Sequence, residues 1–400
     1  MADGITAGPA RPVTVVVPLP PSYRGGTEEY AYRLAQDFAT RAPTQVLTTT
    51  VRWDPGASAL DVGAARVTRL RAWEAWQRPL LLGPGSRRRL WAEIRRSRAL
   101  NLHMPFPMVE APAVRTAHRA GAPAVLTYHM DADLGAAEGG PGAGTVTRMY
   151  RRFSAHPALD GCDAIVSNSR GYAEASPVLS HHLDKVRVIP KGVDPARLGI
   201  GSEASSGTAV RRTPDPSGRK RILFVGRLVP YKGVPILLDA SARLRSRGRE
   251  FDLRIAGRGP SKASLERQVD ALGLRDRVEF LGFVPDPELG NLYRDSDLVV
   301  VPSVSVLEST ATALEEAAAC GVPVVGTDLP GTSENVPHDG VRGLLVPPGR
   351  PAELAEAMDR MLDAPRPSVP SAIRTWTDVA ADYARLLQEL GVELGPPGGP

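Results

Sequence analysis

The stretch Arg221-Ile222-Leu223-Phe224-Val225-Gly226-Arg227-Leu228-Val229-Pro230-Tyr231-Lys232-Gly233 decides the fold. An apolar, β-branched run stops at Gly226, two cations follow, and behind Gly233 the residues Val234 to Arg247 take up a helical pattern. A short apolar run closed by turn residues and followed by a helix is a strand feeding a crossover, the repeating unit of a parallel sheet. The same unit recurs downstream, with runs near Leu253, Val278, Leu298, Pro323 and Gly343. Upstream it recurs near Val13, Gln45, Arg66, Ala99, Ala124, Ala164 and Val186. Between the two series lies Ile200 to Arg219, which contains Ser, Gly, Arg and Pro but no apolar periodicity and reads as a connection. The expectation is an α/β chain of two doubly wound domains, residues 1–199 and 220–375, joined by a linker at 200–219. Such sheets bind ligands at the carboxyl ends of their strands, so a crevice between the two is the expected site. A last helix over 376–390, with Tyr383, Leu386, Leu387 and Leu390 on one face, is read as packing back on the first domain.

Composition narrows the function. The chain has 400 residues, 42% of them hydrophobic, enough for two cores of this size. No run reaches the ~18 apolar residues of a membrane span. Met1 to Pro12 lacks the charged-then-apolar order of a signal peptide, so the expected location is the cytoplasm. Cys162 and Cys320 are the two cysteines, far apart, which suggests neither a disulfide framework nor a metal cluster. Lys and Arg number 49 against 44 Asp and Glu, a mild excess that suits anionic ligands and not nucleic acid. Arg87, Arg88, Arg89, Arg95, Arg96 and Arg98 crowd one segment near Trp73, Trp76, Trp91 and Leu80 to Leu82. Two readings of that segment stand: a solvated helix face, or a patch that docks an acceptor or makes a peripheral contact with the inner membrane face.

The chemistry gathers in the second half. Arg227 and Lys232 emerge where a strand ends, and a cation about 4 Å from a phosphate oxygen is worth roughly 4 kcal/mol at an effective dielectric of 20. A helix N-terminus adds about 0.3–1 kcal/mol, so the two side chains should dominate any diphosphate site. Cations at strand ends are also common surface features, and both glycines serve equally as turn residues. Ala256-Gly257-Arg258-Gly259-Pro260 is a second strand-to-helix loop whose glycines would let a nucleotide approach, although a lone Gly-x-Gly is more often a tight turn. In Val301 to Gly321, Glu308 precedes a helix and Glu316 lies within it, with Ser309, Thr310 and Thr312 as helix-start residues. Free N–H groups of that first turn can meet an anion. Carboxylates repel phosphate and accept from hydroxyls, so two of them beside a diphosphate site suggest a nucleotide sugar. The bland alternative is that Glu308 favours the helix start and Glu315 or Glu316 is solvated.

With these residues in place the chain resembles the retaining glycosyltransferases of family four, also called group 1, which have the GT-B fold of two Rossmann-like domains and a Glu, seven residues, Glu signature. Here the pair is Glu308 and Glu316. Gly25-Gly26-Thr27-Glu28, Thr127-Tyr128-His129, Ile189-Pro190-Lys191-Gly192-Val193-Asp194, Gly226-Arg227-Leu228 with Lys232-Gly233, Leu281-Gly282-Phe283-Val284, Gly331 to Glu334 and Gly343 to Gly349 extend the likeness over most of the chain. Individually weak, they are specific in order and spacing.

The resemblance implies transfer of a hexose-type sugar from a nucleotide diphosphate sugar to an acceptor hydroxyl whose identity is left open, without a metal or other cofactor. Arg227 and Lys232 would stabilise the leaving diphosphate. Glu308 would hold the transferred sugar, Glu316 the ribose, Gly257, Phe283 and Val284 the base, with Ser309, Thr310 and Ala311 at the donor. Gly26 would allow close approach of its loop, and His129 would hydrogen-bond a donor hydroxyl or the reacting oxygen, unless it is a structural histidine. Two departures stand out. Thr310 and Ala311 occupy positions where the family commonly has Phe and Gly, which suggests a differently shaped loop, and Lys191 replaces a common Asn, read as a tolerated surface change. The long Gly-containing segment Asp131 to Thr147 is read as a loop on the acceptor side. A nucleotide-sugar epimerase on the same fold and a non-catalytic sugar- or membrane-binding protein are the alternatives.

Overall fold

In the computed structural model the apolar runs become two sheets. The structure describes residues 10–21, 26–50, 62–75, 78–132, 143–200, 218–306, 308–334, 337–370, 373–396 and 398. The first sheet comprises β1 (Val13–Val16), β2 (Thr44–Thr50), β3 (Arg66–Ala75), β4 (Arg78–Leu82), β5 (Ala99–Met104), β6 (Ala124–Tyr128), β7 (Ala164–Ser167) and β8 (Val186–Val188). Its order is β4-β3-β2-β1-β5-β6-β7-β8. The second comprises β9 (Lys220–Val225), β10 (Phe251–Ala256), β11 (Val278–Gly282), β12 (Leu298–Val301), β13 (Val324–Thr327) and β14 (Gly343–Val346), in the order β11-β10-β9-β12-β13-β14. All the runs read as strands from the sequence are strands. β4 was not anticipated; it pairs antiparallel with β3 at the sheet edge, where Pro79 costs no central ladder bond.

Strands buried on both faces need continuous apolar sequence, which is why Leu298 to Val301 is apolar throughout and wholly buried. Helices cover both faces. Helix Val234–Ser246 turns Leu237, Leu238 and Leu244 into one core with Phe224, Phe251 and Ile255, and helix Pro351–Asp363 adds Leu354, Met358 and Met361. In the first unit Tyr30, Leu34 and Phe38 of helix Gly26–Ala39 meet Val13, Val15 and Val46 together with Val379, Tyr383 and Leu387 of helix Trp376–Glu389.

The chain divides into one unit of Met1–Ser167, Ser176–Ile189 and Trp376–Pro400 and another of Asn168–Ala175 and Pro190–Thr375. Residues 190–199, assigned from the sequence to the first domain, therefore belong with the second sheet, because Val193 and Leu198 are buried in its core. Most of the connection read at 200–219 lies outside the described residues. The segment read as a loop from Asp131 to Thr147 also needs correction: residues 133–142 lie outside the described set, and Ala143–Tyr150 is helical.

Strand order reverses between β9 and β12 in the second sheet and between β1 and β5 in the first. Chains leaving adjacent strands at a reversal diverge to opposite faces and leave a crevice beyond the carboxyl ends. Arg227 and Lys232 follow β9, and Glu308 follows β12.

Candidate active site

Two backbone approaches shape the end of the second sheet. Gly233 has φ 67°, and a Cβ there would lie 1.9 Å from the Pro302 carbonyl oxygen, so the loop after β9 rests directly on the loop after β12. Val304 N–H donates to Tyr231 O at 2.8 Å and locks the same contact. Gly257 has φ 150°, and its Cβ would meet the Gly226 carbonyl oxygen at 1.8 Å. Its glycine is thus required by loop-on-loop packing, whatever a ligand requires.

This packing brings Lys232 to Glu308. Lys232 Nζ donates to Glu308 Oε2 at 2.5 Å, and the same oxygen accepts from Ser303 Oγ at 2.7 Å. Burial pulls the Lys232 pKa down, but Glu308 and Tyr231 outweigh it and hold the ammonium above its ordinary value. Both partners are largely buried, so the ion pair is fixed in position. Arg227, by contrast, is exposed and has no side-chain partner among the described residues.

The helix after Glu308 spans Thr312–Ala319, and its first internal bond runs from Leu314 N to Ala311 O at 2.8 Å. The N–H groups of Thr312 and Ala313 precede that bond. Ser309 and Thr310 lie before the helix, and Ala311, its N-cap, has φ −92°. Alanine therefore carries no strain there. Thr310 points to the helix it precedes: its Oγ1 donates to Glu315 Oε1 at 3.0 Å.

Lys191 is not a surface change. It is buried and donates to Thr312 Oγ1 at 3.2 Å, beside the start of this helix. Its charge also acts on Glu315, whose second oxygen is buried without a hydrogen-bond partner. Burial pushes the Glu315 carboxyl up to about 7, against the pull of Lys191. Sequence reading noticed both residues and gave neither a role; the signal was that Thr310, Thr312, Glu315 and Lys191 are polar together.

Glu316 is buried and committed within its own unit. Oε2 accepts from Tyr293 Oη at 2.8 Å, Oε1 accepts from Arg197, and Arg197 also pairs with Asp286 at 3.3 Å. Burial, then the neighbouring carboxylate, pushes the Tyr293 hydroxyl well up, so it remains a donor. The bland reading of Glu316 as a solvated residue is excluded. Phe283 is exposed with the Arg258 guanidinium carbon 5.6 Å from its ring centroid, and Val284 packs into the core beside it. Lys232, Glu308, Glu316 and the helix start thus gather around one sheet end, while Phe283 and Gly257 mark the neighbouring loops.

In the first unit His129 follows β6 and is buried. Its Nε2 lies 2.8 Å from His103 Nδ1, the rings stack at 5.1 Å, and Tyr30 meets His129 edge-on at 5.2 Å. Burial lowers the His103 pKa to about 3, so that ring is neutral. His103 escaped sequence reading because an isolated His in a strand carries no pattern. Gly26 opens helix Gly26–Ala39 and is exposed; Gly25 lies outside the described residues. Arg87, Arg88 and Arg89 are exposed on helix Pro84–Ile94, whose Leu90 and Ile94 are buried, and Trp76 lies outside the described residues. Both cysteines are free and buried. Among the described residues no helix is long and apolar enough to cross a membrane, and no cluster of metal-ligating side chains occurs.

Two Rossmann-like parallel-sheet units in one chain are the organisation of the GT-B class. Solved structures share it: sucrose-phosphate synthase from Thermosynechococcus elongatus superposes with a TM-score of 0.70 over 95% of this chain and 99% of that one, at 21% identity. Anabaena HepE, solved with UDP and glucose, gives 0.68 over 94% and 99%, at 18% identity. The chain matches the family models for glycosyl transferases group 1 over residues 208–373 and for glycosyltransferase family 4 over residues 24–197. It belongs to this glycosyltransferase family. Among curated relatives, a D-rhamnosyltransferase of Pseudomonas aeruginosa is 32% identical over 67% of this chain and 65% of its own length. A D-inositol 3-phosphate glycosyltransferase of Arthrobacter is 35% identical over 52% of this chain and 49% of its own length. An alpha-D-kanosaminyltransferase of Streptomyces kanamyceticus is 37% identical over 37% of each. The matched stretches thus span from about a third to just under two thirds of those relatives.

Proposed function

We propose that the protein transfers a hexose-type sugar from a nucleoside diphosphate sugar to an acceptor hydroxyl with retention of anomeric configuration. The observation that carries this reading is the junction of Arg227, the Lys232–Glu308 ion pair and the Thr312–Ala319 helix start at the strand reversal of the second unit. A diphosphate there would be met by the exposed Arg227 guanidinium, by Lys232 and by the N–H groups of Thr312 and Ala313. Lys232 is already charged and oriented by Glu308, so it need not be reorganised when negative charge builds on the leaving group. Glu308 faces a hydroxyl-bearing sugar, since a carboxylate would repel the phosphates themselves. Phe283 offers a face to the base, and Glu316, fixed by Tyr293 and Arg197, is the carboxylate proposed to meet the ribose hydroxyls.

In the reaction the bond between the anomeric carbon and the diphosphate oxygen breaks, the acceptor oxygen bonds to that carbon on the same face, and the acceptor proton passes to the departing diphosphate. The positive side chains are proposed to meet the charge that a metal would otherwise balance. His129 is proposed as a hydrogen-bonding group for a reactant hydroxyl. The UDP and UDP-glucose complexes of HepE support a nucleotide sugar donor.

The test is mass spectrometry of the purified protein with candidate nucleotide sugars and a panel of lipid, glycan and small-molecule acceptors. Acceptor-dependent release of nucleoside diphosphate, unchanged by a chelator, is the expected result. Acceptor-free conversion to an isomeric nucleotide sugar would assign an epimerase instead, and a sugar ester trapped on Glu308 would replace the same-face path with a covalent one.

A further inference from the structure

We infer that the outward face of residues 143–155 is a docking surface for an anionic lipid bilayer. Helix Ala143–Tyr150 continues through the π-turn Arg151–Ala155, and the two faces of this segment differ sharply. Thr147, Tyr150, Ser154 and Ala158 face inward and are buried. Phe153 is 63% exposed, Met149 56% and Val146 42%, and they fall on the opposite face at spacings of three and four residues. Met108 joins them: at φ 67°, unusual for a residue with a side chain, it donates its N–H to Ser154 Oγ at 3.0 Å and is itself 60% exposed. Four large apolar side chains held outward at one place exceed the scatter normal for a protein surface.

The segment is anchored. Tyr150 Oη donates to the buried Glu110 carboxylate at 2.7 Å, Ser154 Oγ donates to the same group, and Phe106 N–H donates to it at 2.8 Å. The outer face is therefore a formed surface presented by a fixed helix.

Charge identifies the occupant. From Ala143 to Leu159 the sequence holds Arg148, Arg151 and Arg152 and no Asp or Glu. Arg148 and Arg152 are exposed, and the Arg152 guanidinium carbon lies 5.8 Å from the Phe153 ring centroid. An apolar stripe with a basic rim, on a segment whose first acidic residue is Asp160 beyond the stripe, complements a bilayer, with apolar groups at the acyl boundary and arginines among anionic headgroups. The Arg87–Arg98 segment has the charge without the stripe, because Leu90 and Ile94 of its helix point inward.

The inference stands apart from the transferase reading, since binding is measured without substrates. Full-length protein is sedimented with vesicles of phosphatidylcholine and with vesicles of equal parts phosphatidylglycerol and phosphatidylcholine. The expected result is binding to the anionic vesicles that weakens as salt rises. Arg148→Gln and Arg152→Gln should each lower it about fivefold, and Phe153→Ser about tenfold. These side chains are exposed, so an unchanged melting temperature confirms folding in each variant. Equal binding to both vesicle types overturns the inference. So does loss of binding in the Arg87→Gln, Arg88→Gln, Arg89→Gln variant with retention in Phe153→Ser. A dimer in sizing chromatography that Phe153→Ser makes monomeric, with vesicle binding unaltered, would assign the face to a second copy.

Discussion

The polar groups at the two sheet ends are held by different means. In the second unit every carboxylate at the strand reversal has a charged or hydroxyl partner: Glu308 has Lys232 and Ser303, and Glu316 has Arg197 and Tyr293. In the first, His129 sits in an aromatic cluster with neutral His103 and Tyr30. The difference follows from what each must resist. Under the proposed function, paired charges would hold their geometry while a diphosphate gains negative charge, because their orientation is fixed before the ligand arrives. A histidine packed among rings keeps its orientation through contacts with neutral neighbours.

Four substitutions break or sharpen this contrast. Lys232→Ala should be the most severe, lowering kcat/KM about 10²–10³-fold in steady-state assays, since it removes a preorganised cation and leaves Glu308 unpaired. A loss no greater than that of an exposed arginine such as Arg243 would erase the distinction between the two ends. Glu316→Gln keeps the shape and removes the charge that Arg197 and Tyr293 meet; it should cost about 2 kcal/mol in denaturant unfolding, with Arg197 still held by Asp286. His129→Ala should lower kcat/KM about tenfold, the scale of one hydrogen bond, and leave the salt dependence of donor binding as it was.

Glu315→Gln gives the smallest effect, stabilising above a pH window and neutral below it. Glu315 binds its proton more tightly when folded, its carboxyl lying at about 7 against an ordinary 4.5, so this group makes stability fall as pH rises between those values. The variant should therefore melt a few degrees higher than the parent at pH 8, roughly 2–4 °C per kcal/mol. At pH 4, where the parent carboxyl is protonated in both states, the advantage should vanish. Thermal melts at the two pH values decide it.

The strands were legible because each is a buried apolar run between turn residues; β4 was not, since an edge pair with Pro79 in it reads as loop. Spacing singled out Arg227, Lys232, Glu308 and Glu316, and the structure gathers Lys232, Glu308 and Glu316 at one sheet end. The partners of that group were not legible. Arg197 and Tyr293 reach Glu316 from 119 and 23 residues away, and no local pattern encodes such distances. Lys191 was misjudged for the same reason: its burial depends on Thr312, 121 residues further along.

The two units are interleaved, the polypeptide passing from one to the other after Ser167, Ala175, Ile189 and Thr375. Arg170 and Gly171 give their N–H groups to Glu334, and Ser169 donates to the Pro330 carbonyl, so the second unit uses residues made long before its own first strand. The first unit in turn waits for Val379 and Tyr383 to fill its core. On the ribosome, neither half can finish before the other has been synthesised almost entirely, which denies this chain the usual order of one completed domain followed by the next. Cutting the gene at a single point should yield two fragments that fold only when they are mixed.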